Sequence, residues 1–375
     1  MGAGSFEGIW CFVFARWGRV ATAAVVVLAA VVLGAGLVSR QQLLPLPAAL
    51  EPVPLTPPVP VATLSFDAAL AEAATLPRIR SLLVAVDGTL VAEQYFHGAA
   101  AGRTTNIKSA SKSIVSTLVG IAIDRGLIKS VHEPISRYLP AEVGGDAVKS
   151  GITIEDLLTM RTGLETTSNR NYGRWVMSPN WVRFVLQQPM EDEPGGRMIY
   201  STGNTHLLSA ILTRATRTST LEFARSVLAT PLGFTLSAWP RDPQGIYLGG
   251  NEMPMRPRDM LRIGELYLNG GRYDQRQIVS SGWIQESIVP RTVSRWSERQ
   301  YGYGWWIRTL AGTPVFYAWG YGGQFIFVAP SVRTVVVVTS VVEPGSERRD
   351  HLDAIYDLVE RHVLAIARTA FPDAD

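Results

Sequence analysis

A chain of 375 residues with a net charge of +3, 47% hydrophobic residues and ten tryptophans has the capacity for a large buried core, unlike a disordered or repetitive protein. Its arginines are scattered and form no basic stripe with interleaved aromatics, which speaks against a nucleic-acid partner. A single cysteine, Cys11, excludes a disulfide framework and any cysteine-rich metal site, and the five histidines contain no paired ligand spacing, so no metal centre is expected.

The N-terminus is a separate region. Val20 to Ser39 is twenty residues without a charge, flanked by Arg16, Arg19 and Arg40, long enough to span a bilayer. Two arginines before it and one after predict a cytoplasmic segment 1–19, a transmembrane signal-anchor over 20–39, and a catalytic part on the periplasmic or extracellular face. Gly34-Ala35-Gly36 is a poor cleavage site; secretion after signal cleavage is the alternative. Seven prolines among residues 45–60 make 40–60 an extended linker, and a folded domain is expected over 61–375.

Within that domain, Arg80–Val86 and Thr89–Phe96 are apolar runs joined by Asp87-Gly88, a hairpin signal. From Ser111 the apolar residues Ile114, Val115, Leu118, Val119, Ala122 and Ile123 fall at helical spacing, and Gly126 marks the stop. Long helical patterns continue to about Thr230. Strands return over Tyr303–Arg308, Val315–Ala318, Gly323–Val328 and Thr334–Val341, and a closing helix is expected over Arg349–Arg368. The pattern predicts an α+β fold: an antiparallel sheet built from N- and C-terminal segments, flanked by helices, with an inserted mostly helical region.

The chemistry is read from a rarity. Four lysines (Lys108, Lys112, Lys129, Lys149) stand against 31 arginines. Arginine cannot give up its proton in a protein, whereas a desolvated lysine becomes a neutral amine and a base. Ser109-Ala110-Ser111-Lys112 is the single Ser-x-x-Lys of the chain. At helical spacing the two side chains share a face, and the N–H groups of the first turn favour a developing oxyanion. The competing reading is a capping serine beside a solvated lysine. Tyr200, in Tyr200-Ser201-Thr202 ahead of a helical run, is a candidate proton shuttle whose phenol pKa a nearby ammonium would lower; otherwise it fills the core. Trp319-Gly320-Tyr321-Gly322-Gly323-Gln324 brings three glycines to the start of a strand, as a close backbone approach or a simple bulge requires.

The order of these pieces resembles the serine β-lactamase and penicillin-recognising superfamily, in particular its class C-type branch with esterases and 6-aminohexanoate-dimer hydrolases. Ile152–Met160 with Gly163-Leu164, Pro194-Gly195-Gly196, Pro257-Arg258-Asp259-Met260 and Tyr301–Trp306 support it. The resemblance spans about residues 78–345. It implies a β-lactamase/transpeptidase-like fold, no cofactor, Ser109 as acylated nucleophile, Lys112 as base and Tyr200 as proton relay. It further implies an oxyanion hole from the N–H groups of Ser109 and Gln324, and Tyr321, Gly322 and Gly323 in the substrate-binding strand; Tyr172 is a candidate rim residue. The expected partner is a small ester or amide. Two positions depart from the pattern: Thr202 stands where the family has asparagine, and Tyr321 where a lysine often binds a substrate carboxylate. Arg291, Arg295 and Arg299 are candidates to supply that charge. An exported receptor with little turnover is the alternative. No Gly-x-Ser-x-Gly elbow is present, and His206, in a helical pattern, is expected to be structural.

Overall fold

The computed structural model describes residues 59–345 and 347–372; the expected segments 1–19 and 20–39, and most of 40–60, lie outside them. Among the described residues no helix is long and apolar enough to cross a membrane. The described residues belong to one compact unit.

Eight strands make one antiparallel sheet: β1 (Ile79–Val86), β2 (Thr89–Tyr95), β3 (Thr292–Val293), β4 (Gln300–Tyr301), β5 (Trp306–Leu310), β6 (Thr313–Gly320), β7 (Gln324–Ala329) and β8 (Thr334–Ser340). Their order is β2-β1-β8-β7-β6-β5-β4-β3, so the N-terminal hairpin joins the C-terminal meander where β1 pairs with β8, Leu83 opposite Val337. Asp87 (φ 46°) and Gly88 (φ 75°) are both left-handed, the two-residue turn expected of Asp-Gly.

The central strands read as unbroken apolar runs because both faces are covered. Along β8, Val335 and Val337 enter the core shared with the helical region, while Val336 and Val338 enter the core beneath the terminal helices. Phe325 and Phe327 alternate with Ile326 and Val328 in the same way, the period of two that a pleated strand imposes. On the first face lie α2 (Ser111–Asp124), α3 (Thr202–Thr216) and α4 (Pro257–Leu268). On the second lie α1 (Asp67–Thr75) and α5 (Arg348–Leu358).

Two expectations need correction. Between α2 and α3 the chain makes only short turns of helix, such as Ile154–Leu158, Tyr172–Val176 and Trp181–Leu186. Glycines with positive φ, Gly163 (77°) and Gly195 (79°), and several prolines break the apolar periodicity that suggested longer elements. The strand expected from Tyr303 begins at Trp306, because Gly304 (φ 79°) turns the preceding residues into a loop. The closing helix widens to a π-turn over Val359–Leu364 before its last residues.

Candidate active site

Ser109 sits in a 3-10 turn, Lys108–Ala110, that runs directly into α2. Lys108 ahead of it is left-handed, φ 49°, a conformation that costs a residue with a Cβ about 1–2 kcal/mol. The turn is tied on every side. Lys108 N donates to Asn106 Oδ1 (2.9 Å), Ser111 Oγ to Lys108 O (2.7 Å) and Ile107 N to Met253 O (3.0 Å).

Lys112, on the first turn of α2, is buried at 2% exposure. Its Nζ lies 3.2 Å from Ser109 Oγ, 3.3 Å from Thr202 Oγ1 and 2.7 Å from the Gly250 carbonyl. None of these neighbours is a carboxylate, so nothing offsets the loss of water, and burial pulls the ammonium pKa down to about 7. Gly250 is shaped for this contact: its φ is 78°, and a Cβ there would stand 2.8 Å from Lys112 Cγ. The Tyr301–Trp306 motif packs behind the same helix, with Ser113 Oγ donating to Gly304 O (2.6 Å).

Tyr200 approaches Ser109 from the other side: the Ser109 hydroxyl acts on its phenol, and its ring centre lies 5.1 Å from Lys112 Nζ. The ring stacks on Trp306 at 5.8 Å. The expected lowering of the phenol pKa is not met. Burial dominates, partly opposed by the Ser109 hydroxyl, and pushes the phenol up to about 12. Near neutral pH the proton therefore stays on Tyr200.

A second segment holds Tyr200 in register. Thr166 Oγ1 donates to Tyr200 O (2.7 Å), Thr167 N to Ser201 Oγ (3.0 Å), and Ser168 Oγ accepts from Thr202 N (2.8 Å) while lying 3.0 Å from Thr202 Oγ1. Three consecutive hydroxyl residues thus meet 200, 201 and 202 one to one, and Thr167 Oγ1 also takes Gly203 N at the start of α3 (3.0 Å). Thr202, standing where the resemblance calls for an amide, uses its hydroxyl to join Lys112 to Ser168.

The glycine-rich turn closes the third side. A Cβ on Gly320 would lie 2.1 Å from Ile107 O, so the end of β6 touches the backbone leading into Ser109. Gly322 (φ 86°) and Gly323 (φ 105°) reverse the chain and deliver Gln324 as the first residue of β7, opposite Gly320. The buried Gln324 carboxamide donates to Ser340 O (2.7 Å) and accepts from Ser340 N (3.2 Å), which fixes the direction of its own backbone. Tyr321 is 36% exposed at the tip of this turn.

Tyr172 lies farther out, half-buried, its hydroxyl accepting from Asn251 Nδ2 at 2.9 Å. Arg291 pairs with Glu286 and lies over the Tyr303 ring, Arg295 lies over Trp296, and Arg299 over Trp319 (5.2 Å) and Tyr356 (5.0 Å). His206 is buried against Asp242 (3.1 Å) between Trp175 and Trp181, the structural place expected for it. The segment Gly249–Met253 and the hydroxyl run Thr166–Ser168 escaped the sequence reading; a glycine pair and a run of Thr and Ser carry no signal by themselves. Among the described residues no cluster of three acidic, His or Cys side chains is placed to hold a metal ion.

The model of the beta-lactamase family matches residues 80–360. The chain belongs to the beta-lactamase family. A 6-aminohexanoate-dimer hydrolase of Paenarthrobacter ureafaciens is 26% identical over 335 residues, covering 80% of this chain and 83% of that protein. The solved structure of a family VIII carboxylesterase superposes with a TM-score of 0.61 at 17% identity, over 78% of this chain and 97% of the other. A penicillin-binding protein homolog from Caulobacter crescentus gives 0.63 at 15% identity, over 81% and 99%. These structural likenesses bear on the fold: a beta-lactamase-type sheet with its helices, as the order of strands already indicated.

Proposed function

We propose that the chain is a serine hydrolase that cleaves a carboxylic ester or a linear amide through an acyl-enzyme on Ser109. One observation carries this: the buried Lys112 amine and the Tyr200 phenol converge on Ser109. A neutral amine has two N–H groups, for Gly250 O and Thr202 Oγ1, and one lone pair, for the Ser109 hydroxyl. As Oγ bonds to the substrate carbonyl carbon, its proton passes to Lys112. The N–H groups of Ser109 and Gln324 receive the oxyanion; loss of one such donor typically costs about 10²–10³ in rate. Tyr200, holding its proton, gives it to the leaving oxygen or nitrogen as that bond breaks and is reprotonated from the Lys112 ammonium. Water then hydrolyses the ester on Ser109.

The related hydrolase and carboxylesterase support ester or linear amide chemistry. Tyr321 in place of a cation, and a Thr202 hydroxyl in place of an amide, weigh against a substrate whose carboxylate must be bound beside the glycine turn. Tyr172 and Tyr321 would then flank the substrate. Anchoring through residues 20–39 with the hydrolase outside the cytoplasm belongs to the same proposal; protease access on intact cells tests it.

The decisive experiment is labelling with a fluorophosphonate, followed by turnover of p-nitrophenyl esters, nitrocefin and short linear amides. Ser109→Ala should abolish both labelling and turnover. Labelling that persists at another serine sinks the assignment, and one equivalent of product without turnover makes the protein a receptor.

A further inference from the structure

We infer that Glu252 is a positioning residue that holds the Ser109 turn in its working conformation, by clamping Lys108 in the left-handed region. This rests on Ser109 being the acylated residue. Three hydrogen bonds close a ring around Lys108: its N–H on Asn106 Oδ1 (2.9 Å), Asn106 Nδ2 on Glu252 Oε2 (2.6 Å), and Lys108 Nζ on Glu252 Oε1 (2.8 Å). A lysine–carboxylate pair that still reaches solvent, as this one does at 20% and 31% exposure, usually contributes little on its own. Here the same carboxylate orients the amide that receives the strained residue's N–H, so the pair acts on backbone geometry.

Glu252 is itself placed by the site. It is left-handed (φ 59°) and two residues beyond Gly250, whose carbonyl takes a hydrogen bond from Lys112. Its N–H donates to Asn251 Oδ1 (3.0 Å), and Asn251 donates onward to Tyr172. One residue later, Met253 O receives Ile107 N. The segment Gly249–Met253 therefore touches the residue before the nucleophile, the expected base and the outer tyrosine within five positions. Glycine would adopt the Lys108 conformation without strain, so a lysine kept there needs a grip, and Glu252 supplies it.

The test measures the rate constant of fluorophosphonate labelling at Ser109 in the 375-residue chain. Glu252→Gln is expected to slow labelling about tenfold, roughly 1.4 kcal/mol, with the melting temperature near that of the unmodified protein. The midpoint of the pH–rate profile should stay at about 7, since the burial of Lys112 is untouched. Lys108→Ala, which keeps the strained Cβ and loses the ammonium, should be slowed similarly. Lys108→Gly should recover most of that loss, and adding Glu252→Gln to it should cost under about twofold, the non-additivity of a shared interaction. Labelling of Glu252→Gln at the unmodified rate, or an equal cost of Glu252→Gln in the Lys108→Gly background, overturns the clamp. Should Glu252→Gln fail to fold, equal rates for Lys108→Ala and Lys108→Gly overturn it instead. No labelling of the unmodified protein overturns the serine-hydrolase reading, and this inference with it.

Discussion

At Lys112 the protein buries an amine with three polar neighbours and no counter-charge. If that amine is the base, the labelling rate of Ser109 should rise about tenfold per pH unit below 7 and level off above it, as the ammonium pKa of about 7 dictates. Lys112→Arg keeps the charge and cannot lose the proton, so labelling should fall to the Ser109→Ala level. Stability carries the same signature. The folded pKa of about 7 lies below the unfolded value of about 10.4, so between these values the unfolded chain binds the extra proton. Stability of the native enzyme relative to Lys112→Met should then climb with pH by up to about 1.4 kcal/mol per unit between 7 and 10, read by urea unfolding at pH 7.5 and 9.5. The lysine was legible because the chain uses arginine almost everywhere else. The direction of the Tyr200 shift was not, since it depends on burial by Trp306 and Tyr301, residues a hundred positions away.

At the level of elements, the site is held by segments without regular structure. Thr167→Val would strand the Gly203 N–H inside the protein and take away the hydroxyl partner of Ser201 Oγ, which keeps only the Thr167 N–H. Each buried group left unpaired costs about 1–3 kcal/mol, so urea unfolding should show a loss in that range with a fall in kcat. Gly250→Ala forces a Cβ into Lys112 and Thr205 at a positive φ; labelling should drop by about 10² or more, with stability reduced. Neither segment announced itself. The hydroxyl run pairs with partners 34 residues on, and the Gly250 carbonyl reaches a lysine 138 residues back; sequence periodicity sees only neighbours on one element. The strands, by contrast, were legible, since runs such as Thr334–Ser340 are buried on both faces and admit only apolar or hydroxyl residues. The short helices were over-read because apolar residues under irregular loops mimic helical spacing.

For the whole molecule, the compactness of the described residues predicts that a chain starting at Val59 folds, and labels at Ser109 as fast as the 375-residue chain. A slower rate would tie the preceding residues to the site. The joining of β1 to β8 has a further consequence, for the order of events during synthesis. Ile79 finds its partner at Ser340, so the first strand of the described sheet waits for its last. Loop closure over such a span is slow and comes late. Until residues 334–340 leave the ribosome, β1 has β2 alone beside it, and the N-terminal hairpin stays apart from the strands it will join.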